Sequence, residues 1–239
     1  MSLAPESANP TMPEPSSTIP MEGPVSLHAD NIKVHEVPLV IATPKTFEEA
    51  GYGKIESSFE DAVVDIVTWP KQGWRDVVPG TGNEGGITQG EFVFTWEGDM
   101  AVARNHAVDG HYVTGWFTDP MTASFDNKNV NRSRIFVREA NYHPDGSQIF
   151  CPKDGKPFVA LLALPGDDVK PEDFVAFYCD GTFGIKIHPN IWHQPLFPIA
   201  ERAVFEDKQG KVHACIAVDF VEEFSTYLSV PLPVEKPVI

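Results

Sequence analysis

The chain has 239 residues, 34 acidic against 18 basic, a formal net charge of −16 and 42% hydrophobic residues. That supports a core of ordinary size, while an acidic surplus with no Lys/Arg cluster excludes nucleic-acid backbones and anionic membrane surfaces as partners. No run approaches the roughly 18 apolar residues of a spanning helix, and the first residues lack the basic and apolar regions of a secretory leader, so the expected location is cytoplasmic.

Residues 1–24 contain six prolines, Pro5, Pro10, Pro13, Pro15, Pro20 and Pro24, and almost no large aliphatic residue. Such a segment buries too little apolar surface to offset its ordering entropy. We therefore expect a Pro-rich disordered or draped arm over 1–36 and a single domain over 37–239. After the arm, Pro38 to Thr43 reads as a strand. Thr46 to Gly51 reads as one helical turn with threonine in the cap and glycine as the stop. Trp69 to Gly90, rich in Gly and Pro, reads as an irregular excursion.

Short alternating segments then follow one another: Glu91–Glu97, Met100–Arg104, His111–Thr118, Arg134–Glu139, Ser147–Cys151, Pro157–Leu164, Asp173–Tyr178, Gly184–His188, Arg202–Phe205 and Val212–Phe220. Asp-Gly and Pro-containing turns separate them, and no long helical period intervenes. This pattern predicts an all-β antiparallel sandwich or barrel with few short helices, a jelly roll being the favoured form.

Three cysteines, Cys151, Cys179 and Cys215, are odd in number and widely spaced, so they fit neither a disulfide framework nor a metal knuckle and read as buried thiols. Among the eight histidines, His28 and His35 belong to the arm, His106 and His111 flank an Asp-Gly turn, and His213 sits in a strand. The remaining three are more telling. His143 precedes the Pro144-Asp145-Gly146 turn with Gln148 five residues on, and His188 and His193 bracket a second turn. This layout aims polar groups into a barrel mouth. Two imidazoles and a carboxamide, His143, His193 and Gln148, can hold a divalent metal, and a mixed nitrogen and oxygen set suits nickel, manganese, iron or zinc alike.

The run Glu139 to Pro152, EANYHPDGSQIFCP, resembles the first motif of the ureidoglycolate lyase family, and Gly184 to Phe197, GIKIHPNIWHQPLF, is similar to its second. The resemblance implies a cupin-type jelly-roll barrel (a double-stranded β-helix), usually a homodimer, with a divalent metal (nickel, manganese or zinc) and no organic cofactor. It implies cleavage of the small anionic substrate ureidoglycolate to glyoxylate and urea in allantoin and purine breakdown. Carried onto matching positions, His143, Gln148 and His193 are the expected ligands or acid and base. Glu139 is the carboxylate on the strand leading in, and Asp219 the acidic residue of the last barrel strand. Where the family carries an arginine after that aspartate this chain has Phe220, which makes Lys186 the expected substitute cation at the second motif. Departures at Lys186, Ile187, Pro189, Gln194 and Phe220 leave two alternatives open. One is a cupin isomerase or hydrolase acting on another small hydroxy or keto acid, and the other a non-catalytic small-molecule-binding cupin.

Overall fold

The computed structural model describes residues 23–67, 73–82, 85–211, 214–233 and 237. The first 22 residues of the expected arm, Trp69 and His213 lie outside the described residues. In chain order the strands are β1 (Lys33–Glu36), β2 (Leu39–Ile41), β3 (Gly53–Glu56), β4 (Ile87–Glu97), β5 (Met100–Asn105), β6 (Gly110–Trp116), β7 (Arg134–Val137), β8 (Glu139–Tyr142) and β9 (Gln148–Pro152). They continue with β10 (Phe158–Ala163), β11 (Val175–Cys179), β12 (Gly184–Ile187), β13 (Trp192–His193), β14 (Phe197–Pro198), β15 (Arg202–Gly210), β16 (Ile216–Asp219) and β17 (Thr226–Pro231). Among the described residues helix is confined to the turns Pro44–Glu48 and Pro171–Asp173 and to α1 (Phe220–Phe224).

Two mixed sheets result, one of order β1-β17-β7-β6-β5-β4-β15-β9-β12-β3 and one of order β16-β8-β13-β10-β11-β2, with β14 attached to β10. The fold is all-β, a cupin-type jelly roll whose strand pairing among the described residues runs as two open paths. Alternation along the strands puts one row of each sheet into a shared interior. Phe92, Phe94, Phe150, Ile185 and Phe205 of the first sheet meet Phe158, Leu162 and Phe177 of the second, and a neighbouring cluster joins Ile135, Val137 and Leu228 to Leu161, Trp192 and Ile216. Each fully buried aromatic here carries about 3–5 kcal/mol against truncation to alanine.

Some boundaries fall elsewhere than the sequence pattern suggests, for identifiable reasons. The first helical turn is capped by Thr43 rather than Thr46: the Thr46 amide donates to Thr43 Oγ1 at 3.1 Å and the Thr43 amide to Thr46 Oγ1 at 2.9 Å, with Pro44 opening the turn. The strand expected over Arg134–Glu139 breaks at Arg138, because β7 pairs with β17 in one sheet and β8 with β16 in the other. Strand β15 runs to Gly210, well past Phe205, along β4 on one side and β9 on the other.

Three irregular segments are tied down by specific groups. Residues 23–36 lie along the ten-stranded sheet, with β1 parallel to β17 and the Tyr227 hydroxyl donating to Val25 O at 3.0 Å. Residues 57–67 cross the outer face of β9, β12 and β15, held by Lys208 Nζ donating to Phe59 O at 2.9 Å and Ala62 O at 3.0 Å. Residues 73–82 are anchored by Arg75, which makes two 2.7 Å bonds to the Glu223 carboxylate and donates Nε to Asp167 O at 2.8 Å.

Candidate active site

Strand parity assembles the site. On β8, Ala140 and Tyr142 enter one interior cluster while Glu139 and Asn141 face the other way; His193 of β13 is the cross-strand partner of Asn141 and shares its face. On β9, Gln148 and Phe150 point inward together. The two motif turns are linked directly, since the Asn190 amide donates to His143 O at 3.1 Å. Asn190 takes φ 67°, a left-handed conformation that asparagine tolerates and that closes the second turn tightly. A cavity of about 30 Å³ opens where these faces meet, lined by His143, Gln148, His193, Glu139, Asn141 and Gln194 among others.

Both imidazoles have an assigned tautomer. His143 Nδ1 lies 3.0 Å from Ala214 O and His193 Nδ1 lies 2.8 Å from Ile191 O; a carbonyl only accepts, so each Nδ1 carries the proton and each neutral ring keeps its lone pair on Nε2. The rings stand edge to face with centroids 5.0 Å apart. Burial holds the His143 pKa below its ordinary value, and burial together with the neighbouring His143 pushes His193 down to about 3. His193 is therefore a neutral acceptor at physiological pH. Its Nε2 faces another acceptor, Gln148 Oε1, at 3.3 Å, a pair that calls for a donor or a cation between or beside them.

Gln148 is held from behind. Its Nε2 donates to Asp207 Oδ1 at 2.8 Å, and Asn105 Nδ2 donates to Asp207 Oδ2 at 3.0 Å. Asp207 is fully buried on β15, and burial, partly offset by those two bonds, raises its carboxyl to about 7.

Glu139 is the other polar pole of the cavity. Its stem is partly exposed, yet Oε2 is buried without a hydrogen-bond partner. Burial first, then the Asp219 carboxylate, raise its pKa to about 7, against the opposing influence of Arg138. A carboxyl poised there can hold or release a proton near neutrality.

Of the six residues that the sequence nominates, four converge on the cavity: His143, Gln148, His193 and Glu139. Asp219 stands behind them. Its Oδ1 caps α1 by accepting from the Val221 and Glu222 amides at 2.9 and 3.0 Å, and its Oδ2 pairs with Arg138 Nε at 2.7 Å. Lys186 is a correction: it does not face the site. Its neighbours Ile185 and Ile187 are the inward residues of β12, whereas Lys186 pairs with outward Ile149, and its Nζ meets Asp65 at 3.1 Å and Val63 O at 3.3 Å. The lysine holds the 57–67 segment to the outer face. Asp219 takes its guanidinium partner from Arg138, 81 residues away along the chain.

Asn105, Asn141, Asp207 and Gln194 had not been singled out as site residues. Asp207 carries a usable signal, an acidic residue at an inward position between Phe205 and Gln209, visible only once β15 is extended past Phe205. Gln194 donates Nε2 to Glu139 O and so ties the second motif to the start of β8. The three cysteines are buried as expected, and Cys215 Sγ lies 3.6 Å from His143 Nδ1; burial pushes its thiol up to about 12, so it stays protonated. His188 is turned away, its Nδ1 3.9 Å from Asp65.

The expected metal ligands suit a divalent ion in chemical type. Both imidazoles set Nδ1 on a backbone carbonyl, and Gln148 Oε1 is 3.3 Å from Nε2 of His193. Among the described residues no third His, Cys, Asp or Glu joins the two histidines in a cluster.

Comparison with known proteins points the same way as the motifs. A family model described as ureidoglycolate lyase matches residues 102–225, just over half of the chain, and contains every site residue discussed above. The ureidoglycolate lyase of Salmonella enteritidis is 44% identical over 75 residues, covering 28% of this chain and 46% of that protein. That of Stutzerimonas stutzeri is 34% identical over 91 residues, covering 37% of this chain and 54% of the relative, and that of Salmonella paratyphi B is 38% identical over 73 residues, covering 28% and 46%. The matched stretch thus spans about half the length of these relatives. With the family model covering both motif turns and the strands that carry them, the chain belongs to the ureidoglycolate lyase family.

Proposed function

We propose that this protein is a carbon–nitrogen lyase that cleaves ureidoglycolate to glyoxylate and urea. The observation that carries the reading is the presence in one cavity of a neutral proton acceptor, His193 Nε2 beside Gln148 Oε1, and a carboxyl poised near neutrality, Glu139, with an unpartnered oxygen. The substrate carbon bears both a hydroxyl and a urea nitrogen. His193 takes the hydroxyl proton, the oxygen's electron pair forms the aldehyde C=O, and the C–N bond breaks as Glu139 delivers a proton to the departing nitrogen. Atoms balance as one glyoxylate and one urea, with the His193 and Glu139 protons exchanged through solvent before the next turnover.

Among the described residues no Lys or Arg lines the cavity, so the side chains there that meet the substrate carboxylate are neutral donors: the Asn141 and Gln194 amides and the Tyr112 hydroxyl. Were a divalent ion held by His143, Gln148 and His193, the His193 lone pair would serve as a ligand in place of its role as base, and the ion would supply positive charge there and acidify the hydroxyl so that its proton passes to water. A homodimer and a cytoplasmic location belong to the same reading; light scattering of the purified protein tests the first. Glyoxylate and urea measured together, in wild type and in Glu139→Gln and His193→Ala, test the reaction: both products in equal amounts from wild type, and a loss of at least about 100-fold in each variant.

A further inference from the structure

The polarity of the hydrogen-bond chain behind the cavity is fixed by a backbone group. The Ala107 amide donates to Asn105 Oδ1 at 2.8 Å. An N–H only donates, so the Asn105 carboxamide has one allowed orientation, and its Nδ2 must be turned to Asp207. With Oδ2 of Asp207 taken by Asn105, Oδ1 accepts from Gln148 Nε2 at 2.8 Å. The same carboxamide then has its oxygen left for the cavity, 3.3 Å from His193 Nε2. Four side chains from β5, β15, β9 and β13 thus transmit one choice of direction from a backbone amide to the cavity.

We propose that Asp207 is the positioning residue of this site: by accepting from two carboxamides at once it keeps the Gln148 oxygen, rather than its NH₂, turned toward the reacting centre. Oε1 and His193 Nε2 then form a double acceptor matched to the positive end of what binds, a substrate hydroxyl or a cation. Reversal of the Gln148 amide would present NH₂ to His193 Nε2, occupy the lone pair, and leave no acceptor pair. Asp207 touches neither substrate nor reacting atoms and acts only through Gln148. The effect on turnover rests on the reaction proposed above, whereas the orientation itself does not.

The chain of donors dictates a swap experiment. In Asp207→Asn, the anchored Asn105 still donates to the oxygen of residue 207, whose new NH₂ then faces Gln148 and forces its amide to reverse. In the double variant Asn105→Asp/Asp207→Asn, residue 105 accepts from both Ala107 and residue 207, and the oxygen of residue 207 again accepts from Gln148. We expect nuclear Overhauser contacts between the Gln148 side-chain NH₂ and His193 Hε1 in Asp207→Asn, and their absence in wild type and in the double variant. We expect kcat to fall about 10- to 100-fold in the single variant with KM changed less, and to recover in the double. A strong NH₂ contact to His193 in wild type, readable whether or not either variant folds, overturns the proposal, as does the same pattern in all three proteins. A wild type inactive on ureidoglycolate but showing the predicted contacts would count against the proposed reaction and leave the role of Asp207 standing.

Discussion

Glu139 of β8 and Asp219 of β16 are directly opposed across an antiparallel pair, on the same face, and Arg138 next to Glu139 takes the Asp219 carboxylate with Nε to Oδ2 at 2.7 Å. The arginine is committed to Asp219 and shields Glu139 only in part, so burial and the opposed carboxylate raise Glu139 to about 7. One cross-strand pair thereby sets up both the buried ion pair and the proton-holding acid.

The pH dependence of activity follows. The proposed acid must be protonated, so turnover declines as pH rises through about 7. In Glu139→Asp the declining limb shifts with the new carboxyl, and in Glu139→Gln the remaining rate loses that limb. A pH–rate profile of kcat over pH 5 to 9 makes the comparison; an unchanged limb in both variants would assign it to another group.

Stability should carry the same signature with a definite sign. A carboxyl whose folded pKa, about 7, exceeds its ordinary 4.5 binds its proton more tightly in the folded state. Its effect on stability is therefore most favourable below about 4.5, declines as pH rises between 4.5 and 7, and is a full penalty above 7. The unscreened equivalent is about 3 kcal/mol, and the partly exposed stem of Glu139 reduces it to on the order of 1–2 kcal/mol. Urea denaturation should find Glu139→Gln more stable than wild type at pH 8, with the gap closing near pH 5.

Removal of the Arg138 side chain leaves the buried Asp219 carboxylate with only its α1-capping amides. Arg138→Met should cost about 3–5 kcal/mol in urea unfolding and should move the Glu139-dependent activity limb to higher pH, because a positive neighbour that lowers the Glu139 pKa is gone. A cost below about 1 kcal/mol would mean that the pair is not formed in solution.

Lys186 separates inference by motif from inference by strand parity. It sits within the second motif, yet its ammonium clamps Asp65 and Val63 O on the outer face. Lys186→Met should leave kcat/KM within about threefold of wild type, since no group in the cavity changes, while limited proteolysis should cleave residues 57–67 faster. A loss of about 100-fold in kcat/KM would return the lysine to the site.

The contrast shows what was legible beforehand. Turn chemistry and alternation identified the all-β fold, and the His-Pro-Asp-Gly-Ser-Gln run with the later His193 contributes three residues to the cavity lining, whereas His188 at the same second turn points away. Lys186 misled because nearness in sequence says nothing about which face of a strand a side chain takes; inward Ile185 and Ile187 on either side decide that. Asp207 and Asn105 escaped notice since their roles depend on the order β5-β4-β15-β9, a non-local arrangement with no local signature. Arg138 was hidden for the same reason, being 81 residues from the carboxylate it serves.

The metal reading has its own test. Protein purified without added metal should contain near-stoichiometric divalent transition metal by elemental analysis, and His143→Ala/His193→Ala should contain none. Absence from wild type, with activity indifferent to chelator, would sink that part of the account.

The most direct measurement of the central claim is a paired assay on ureidoglycolate that quantifies glyoxylate and urea separately. The account predicts one urea for each glyoxylate, with both lost in His193→Ala protein that remains folded by circular dichroism. Ammonia and carbon dioxide in place of urea, or no product from folded, metal-replete wild type, would contradict it.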